Sequence, residues 1–191
     1  MKNITISHIR KAYEDKQALS DFSATLEAGK ITALMAPSGS GKTTLLRILL
    51  GLETADSGDL KDLEGLKIRA VFQEDRLCLP LNPVDNIRLA DSSITRAAAE
   101  EALRAVGLTD CLNQPVRELS GGMRRRVAIT RALLCDYDLL LMDEPFRGLD
   151  QDTKALVMED TRKRCQGHTV LLVTHDDSEL PAMGVQNCIS L

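Results

Sequence analysis

A glycine-rich loop between an apolar run and a helix-forming run constrains the fold of this chain more than any other feature. Residues 31–35 have the length and composition of a buried strand, and residues 44–50 are predicted to form a helix that ends at Gly51. The loop between them, residues 36–44, reads APSGSGKTT. A strand, such a loop and a helix in succession are the context of a phosphate-binding loop. The sequence therefore predicts a phosphate site at the end of a strand.

The residue types in this loop match what a nucleotide needs. Gly39 and Gly41 let backbone N–H groups approach phosphate oxygens, and the helix N-terminus adds a favourable dipole. Lys42 is predicted to reach the β- and γ-phosphates, and Thr43 to offer its hydroxyl to Mg²⁺. The other loop residues predicted to contact the nucleotide are Pro37, Ser38, Ser40 and Thr44. Ala36 stands where this motif often has glycine, and we expect it to have a negative φ.

A second apolar run ends in two carboxylates. Residues 139–142 are apolar and are followed by Asp143 and Glu144. Because successive strand residues point to opposite sides, the two carboxylates are predicted to have different roles. Asp143 is predicted to help hold Mg²⁺, and Glu144 to polarise a water molecule that attacks the γ-phosphate. A strand-to-turn junction with solvated acids is the simpler interpretation, and the phosphate loop upstream favours the catalytic one.

The remaining pattern predicts strands that alternate with helices. The predicted strands are residues 3–9, 22–26, 68–72 and 169–173, and the predicted helices are 93–106, 152–165 and a helix from Met123 onwards. Between 73 and 86 no regular structure is expected, because of Pro80 and Pro83. The alternation is typical of an α/β core around a mostly parallel sheet. Residues 76–135 lack predicted strands, and we expect them to form a helical subdomain inserted into a core of residues 1–75 and 136–191.

Composition excludes several classes of protein. The formal charge of −4 argues against a general electrostatic grip on nucleic acid, and the absence of Trp argues against a base-stacking surface. The N-terminus has no signal-peptide core, and no apolar run approaches the length of a membrane span. Five dispersed cysteines without a Cys-x-x-Cys pair are typical of reduced thiols. We therefore expect a cytosolic globular protein that does not bind nucleic acid.

The order of the motifs resembles that of the ATP-binding cassette (ABC) ATPases along nearly the whole chain. Residues 36–44 match the Walker A motif, 139–144 match Walker B, and 119–123, LSGGM, match the signature sequence of this family. The other matching landmarks are Tyr13 (the aromatic that stacks on adenine), Gln73 (the Q-loop), 148–150 (the D-loop) and His175 (the switch histidine). The resemblance implies a single domain over residues 1–191, with a P-loop NTPase (RecA-like) core and an N-terminal antiparallel β part.

The resemblance also implies cofactors and catalytic roles. ATP and Mg²⁺ are the implied ligands, with Gln73 near both the metal and the γ-phosphate. His175 is implied to contact the γ-phosphate and orient the attacking water, so that Glu144, His175 and Lys42 are the expected catalytic residues. His8 and His168 match no landmark, and we expect them to be surface residues.

A second ATPase subunit, identical or different, is the first partner that the resemblance implies. Ser120, Gly121 and Gly122 are expected to contact the γ-phosphate held by the other subunit, and Asp150 to cross the interface. Met123 replaces the glutamine that is common at this position, so any contact made by that amide is lost. Residues 124–126, three arginines, are predicted to form a mostly solvated face.

The stretch at residues 73–87 resembles the Q-loop region of nitrate-, sulfonate- and taurine-type importer ATPases. This resemblance implies transmembrane permease subunits as partners, a substrate-binding protein as an indirect one, and a peripheral location on the cytoplasmic face of the plasma (inner) membrane. Leu77, Leu79 and Leu81 either line a groove for a coupling helix of the permease or pack within their own subdomain. Because the sequence ends at Leu191, we expect no C-terminal regulatory domain of the kind some importer ATPases carry.

Two other functions share part of this motif set. In a soluble ABC ATPase that acts on chromosomes, a long coiled coil separates Walker A from the signature, but here Lys42 and Ser120 lie only 78 positions apart. The translation-factor kind carries two cassettes, and this sequence has one. A phosphate-loop kinase for small molecules would explain Lys42 and Asp143, but not the signature or the pair Glu144 and His175.

Overall fold

The computed structural model describes residues 2–14, 16–37 and 39–191, and within them strands alternate with helices. The strands are β1 (Ile4–Tyr13), β2 (Lys16–Leu26), β3 (Ile31–Met35), β4 (Ser57–Lys61), β5 (Ile68–Val71), β6 (Leu139–Asp143), β7 (Thr169–Thr174) and β8 (Asn187–Ser190). The α-helices are α1 (Lys42–Leu49), α2 (Pro83–Ala90), α3 (Arg96–Ala105), α4 (Gly121–Leu134), α5 (Gln151–Arg164) and α6 (Glu179–Met183), and a 3₁₀ turn spans Val116–Glu118. Among the described helices, none is long and apolar enough to cross a membrane.

A five-stranded parallel sheet in the order β5-β6-β7-β3-β8 forms the centre of the molecule. In β6, Leu139 and Leu141 pack into one apolar core, while Leu140 and Met142 pack into the other. All four side chains are buried, as expected for a parallel strand covered on both faces. The predicted α/β fold with a mostly parallel sheet is confirmed.

Different elements cover the two faces of this sheet. One face packs against α1 and an antiparallel sheet in the order β2-β1-β4, which confirms the predicted N-terminal antiparallel part. Apolar side chains of α2, α3, α4 and α5 cover the other face. The stretch 76–135 contains helices α2 to α4 and the 3₁₀ turn, and no strand is assigned there. The phosphate loop and the signature helix therefore lie on elements that meet at one central sheet.

The expectation of no regular structure between 73 and 86 is wrong for its C-terminal part, where α2 begins at Pro83. Proline is well tolerated at the first helical position, because the N–H that it lacks would have no intrahelical partner there. Asn82 caps the helix, with its side-chain oxygen accepting a bond of 2.8 Å from the Asp85 N–H. Pro83 therefore starts a helix instead of preventing one.

Candidate functional site

The phosphate loop and the acidic end of β6 border one cavity of about 350 Å³. It lies beyond the C-terminal ends of β3 and β6, the usual position of ligand sites in parallel sheets. The predicted site residues that line it are Tyr13, Gly39, Gly41, Lys42, Thr43, Thr44, Gln73, Asp143 and Glu144. Its other lining residues are Lys16, Ala18 and Arg147. The structure thus brings together residues that lie as far apart in the sequence as Tyr13 and Glu144.

The phosphate loop folds around the Lys42 side chain. The Lys42 ammonium donates to the carbonyl oxygens of Ala36 at 2.8 Å and Pro37 at 2.7 Å. Ala36 is not among the described non-glycine residues with positive φ, so the predicted negative φ is confirmed. Ser38, a predicted nucleotide contact, lies outside the described residues.

Two features of the loop fit a phosphate ligand. The Ser40 hydroxyl is buried without a hydrogen-bond partner among the described residues, although a buried hydroxyl normally has one. Gly41 has a φ of 96°, and a Cβ atom there would lie 2.1 Å from the Ala18 carbonyl oxygen. The loop therefore requires glycine at position 41 and leaves a polar group at position 40 for a ligand.

Asp143, at the floor of the cavity, fits a bound metal ion. Its side chain is nearly fully buried, and burial raises the pKa of the carboxyl, as does the neighbouring charge of Glu144. A bound cation would offset the energetic cost of burying the charged Asp143 carboxylate. The exposed Thr43 lines the same cavity. No cluster of three or more His, Cys, Asp or Glu side chains suited to a metal occurs in the described residues. A magnesium ion here would take Thr43 and Asp143 together with phosphate oxygens and water, its usual preference.

Glu144 is held in a conformation that few residues adopt. Its φ is 45°, in the left-handed region that is unfavourable for residues other than glycine, and its N–H donates to the Val173 carbonyl at 2.9 Å. The Oε1 atom lies 3.2 Å from Nδ1 of His175, and Oε2 accepts a bond of 3.2 Å from the Arg147 guanidinium. The carboxylate therefore lies against both the predicted switch histidine and an arginine to which sequence analysis assigned no role.

The prediction that residues 124–126 form a mostly solvated face is wrong for Arg125, which is 5% exposed. Its guanidinium donates to the carbonyl oxygens of five residues, namely Phe72, Gln73, Asp143, Glu144 and Pro145. It also lies 3.4 Å from the Asp75 carboxylate. Arg125 thereby joins α4 to the backbone on both sides of the cavity. The burial of Arg125 could have been predicted from its position on the helix, because it lies one turn before the buried Ile129 and so on the same face.

The signature residues lie outside the phosphate-loop cavity. Helix α4 begins at Gly121, and the Ser120 hydroxyl caps it by accepting a bond of 3.2 Å from the Met123 N–H. A Cβ atom at Gly121 would meet no atom of the described residues within 4 Å, so no contact with them requires glycine there. Gly121 and Gly122 line a second cavity of about 290 Å³. Asp150 caps α5 through a 3.0 Å bond from the Thr153 N–H.

Comparison with known proteins identifies the family. The model of the ABC transporter family matches residues 19–147. The chain belongs to the ABC transporter family. It is 39% identical over 188 residues to the aliphatic sulfonates import ATP-binding protein SsuB 3 of Pseudomonas savastanoi pv. phaseolicola, covering 94% of this chain and 70% of that protein. It is 43% identical over 174 residues to SsuB 1 of Rhodococcus jostii, covering 87% of this chain and 70% of that protein.

Solved structures agree with this assignment. The dimeric ABC transporter cassette MJ0796 superposes with a TM-score of 0.86 at 29% identity, over 98% of this ABC chain and 94% of that one. A second structure of MJ0796, in a post-hydrolysis state bound to ADP and Pi, also gives 0.86, at 28% identity. The resemblance drawn from the motifs is confirmed, and the chain is an ATP-binding, ATP-hydrolysing subunit of ABC type.

Beside His175, an ion-pair cluster predicts an acid-sensitive contribution to stability. The Lys154 ammonium lies 2.6 Å from both Asp176 and Glu179, and the Asp176 carboxylate also accepts bonds from Ser178. The Lys154 hydrogen bond, followed by those from Ser178, holds the pKa of Asp176 well below its ordinary value. A depressed carboxyl pKa stabilises the fold above the unfolded-state pKa, near 4, and the effect is lost as the pH falls further.

We therefore expect Asp176→Asn to lower the melting temperature near pH 7. The difference from the wild type should shrink as the pH falls below about 4, because the unfolded wild-type chain then takes up a proton at Asp176 that the folded chain binds only at lower pH. Thermal unfolding followed by circular dichroism from pH 3 to pH 7 measures this. A difference that stays constant over that range would contradict the assignment. Asp177→Asn is the matched control, because no hydrogen bond or ion pair of its side chain is recorded among the described residues.

Proposed function

We propose that the chain powers an importer and that two copies enclose ATP between the phosphate loop of one and the signature of the other. The observation that carries this proposal is the division of the predicted site between two surfaces. Lys42, Asp143 and Glu144 line one cavity, whereas Gly121 and Gly122 lie outside it. Such a division suits an active site completed by a second subunit.

The two glycines supply independent support for a second copy. Glycine costs roughly 0.8–1 kcal/mol relative to alanine within a helix, yet no atom of the part of the chain that the structure describes lies within 4 Å of a Cβ atom at Gly121. An unobstructed helix N-terminus capped by Ser120 suits an anion, because its free N–H groups and the helix dipole both favour negative charge. A nucleotide phosphate presented by another subunit is an anion that would require this surface to stay bare. The dimeric form of the MJ0796 cassette agrees with such an arrangement.

In the proposed nucleotide site each residue has a defined task. The exposed Tyr13 stacks on the base, and Lys42 exchanges its bonds to loop carbonyls for bonds to phosphate oxygens. Backbone N–H groups of the loop and the buried Ser40 hydroxyl add further donors. Thr43 and Asp143, with Gln73 beside them, would hold magnesium, which would supply positive charge to offset that of the phosphate oxygens. The loop thus binds the phosphates through several donors at once.

Hydrolysis in this proposal depends on Glu144 and His175. Glu144 accepts a hydrogen bond from the attacking water and favours its attack on the γ-phosphate, which is released as inorganic phosphate while ADP leaves. Nδ1 of His175 lies 3.2 Å from the Glu144 carboxylate and orients that carboxylate from one side. Lys42 stabilises the negative charge as it grows in the transition state. Loss of the γ-phosphate then removes the ligand that holds the two copies together.

Transmembrane permease subunits are the proposed partners, and a substrate-binding protein acts through them. The two relatives described above are import ATP-binding proteins, which supports an importer over an exporter. Among the three leucines of the Q-loop region, Leu77 packs against the helical core, whereas Leu79 is half exposed. Leu79 is therefore the better candidate for contact with a permease. This role places the subunit on the cytoplasmic face of the plasma (inner) membrane.

Replacing the phosphate-loop lysine tests the nucleotide site directly. Lys42→Ala is expected to weaken ATP binding by tenfold or more, because charge-assisted hydrogen bonds contribute roughly 1.5–3 kcal/mol each. Fluorescence titration with a labelled ATP analogue measures the Kd, and Lys61→Ala, on the exposed edge strand β4, is the control. Equal affinity of Lys42→Ala and the wild type for the ATP analogue would contradict the proposed nucleotide site. If release of the γ-phosphate required an added acceptor molecule, the alternative function, a phosphate-loop kinase for small molecules, would be favoured.

A further inference from the structure

Arg147 lines both cavities, the one formed by the phosphate loop and the one that contains Gly121 and Gly122. Neither the motifs nor the proposed mechanism uses this residue. It follows β6 by four positions, in the loop that leads to α5, and its side chain is 61% exposed. Its guanidinium makes one hydrogen bond among the described residues, to Oε2 of Glu144 at 3.2 Å. A cation with free donors thus lies in the wall of the proposed nucleotide site.

The other cationic side chains around the two cavities are differently engaged. Arg125 is buried and bonded to backbone carbonyls, and the Lys42 ammonium is bonded to two carbonyls of its own loop. Lys16 lines the phosphate-loop cavity as well, but it pairs with Tyr13 across the β1-β2 hairpin, at the end proposed for the base. Among the described cationic side chains that line the two cavities, Arg147 is therefore the one that contacts the Glu144 carboxylate and still has unbonded guanidinium N–H groups.

The ion pair between Arg147 and Glu144 works against catalysis while it lasts. The Glu144 Oε2 atom that accepts from Arg147 is not free to accept a hydrogen bond from the attacking water. Because the guanidinium is mostly exposed, the pair contributes little stability and breaks at little cost. A phosphate with several negative oxygens is a stronger ligand for a guanidinium than one carboxylate, and it binds through two parallel hydrogen bonds.

We propose that Arg147 changes partner when nucleotide binds, leaving Glu144 and donating to the terminal phosphate of the ATP on its own phosphate loop. This inference rests on the proposed nucleotide site. Arg147 then discriminates ATP from ADP and frees Glu144 only when a γ-phosphate is present. The residue couples the readiness of the catalytic base to the identity of the nucleotide.

The test compares affinities for two nucleotides in the monomeric chain. The Kd values for ADP and for the β,γ-imido analogue of ATP, with magnesium, are measured by thermophoresis at a chain concentration shown by sedimentation to be monomeric. Arg147→Ala should weaken binding of the ATP analogue about tenfold while changing the Kd for ADP less than twofold. Arg147→Lys keeps the charge but not the planar fork, so its Kd for the ATP analogue should lie between those of the wild type and Arg147→Ala. Arg104→Ala, which removes an exposed arginine from a comparable pair with Glu100, should change neither value.

Each alternative result has a definite meaning. If Lys42→Ala loses both nucleotides but Arg147→Ala matches the wild type, the nucleotide site stands and the role of Arg147 is wrong. If Arg147→Ala changes only nucleotide-driven dimerisation, its phosphate ligand belongs to the partner copy and the assignment to its own loop is overturned. If the wild type binds neither nucleotide, the proposed function fails, and this inference fails with it. An equal loss of affinity for ADP and the ATP analogue would also contradict a contact with the terminal phosphate.

Discussion

Glu144→Gln is expected to lower the rate of phosphate release by at least about 100-fold, because an amide cannot accept the proton of the attacking water. The substitution keeps the size of the side chain and its ability to hydrogen-bond to His175, so the geometry around it should be preserved. ATP binding should stay within about threefold of the wild type, since the binding donors lie on the phosphate loop. Single-turnover measurement of phosphate release separates the chemical step from nucleotide binding and product release.

A matched substitution shows whether this loss is specific to the site. Glu101→Gln removes an exposed carboxylate from α3, outside both cavities, and should leave turnover unchanged. Undiminished phosphate release by Glu144→Gln would show that another group acts on the water. Weaker ATP binding with unchanged turnover of the bound ATP would show that Glu144 contributes to binding instead of hydrolysis.

Arg125→Ala is expected to lower the free energy of unfolding by about 3 kcal/mol or more. The guanidinium donates to carbonyl oxygens of Phe72, Asp143, Glu144 and Pro145, and removing it leaves these acceptors in a space closed to most water. Each buried group left without a partner costs roughly 1–3 kcal/mol, and a new cavity adds to the loss. Urea denaturation measures the change, with midpoints and slopes compared between variants.

Arg124→Ala is the control for this substitution. Arg124 neighbours Arg125 on α4, so both substitutions change helix propensity equally, but its side chain is only half-buried and donates one bond, to the Leu119 carbonyl. We expect a loss of about 1 kcal/mol or less. Equal stability of Arg125→Ala and Arg124→Ala would contradict the structural role assigned to Arg125.

The sequence was sufficient for the core of the fold because its signals are local. Continuous apolar runs predicted β3, β6 and β7, since a parallel strand covered on both faces contains few polar residues. The edge strand β4 reads SGDLK, with mostly exposed side chains, and it is a strand because its backbone pairs with β1. That pairing is a tertiary contact without a counterpart in the local pattern.

The sequence predicted the motif residues of the site but not the arginines around them. Fixed spacing identified Lys42, Asp143 and Glu144, and the structure places them around one cavity. Arg125 and Arg147 were not identified, because arginine carries no spacing rule and its role depends on what folds against it. The buried position of Arg125 could be inferred from its helical phase, but the carbonyls that it binds come from Phe72 and from the loop after β6.

Sedimentation of Glu144→Gln with nucleotide is the most direct measurement of the proposed two-copy site. With saturating ATP and magnesium, the variant should sediment at twice the 20.9 kDa mass of one chain, because bound ATP joins the two surfaces and is not hydrolysed. With ADP it should remain at the mass of one chain. Adding Gly121→Ala to the same variant should weaken the dimer, since a methyl group would meet the phosphate of the partner copy. A variant that binds ATP yet stays monomeric at every concentration would contradict the proposal that the signature completes the site of a second copy.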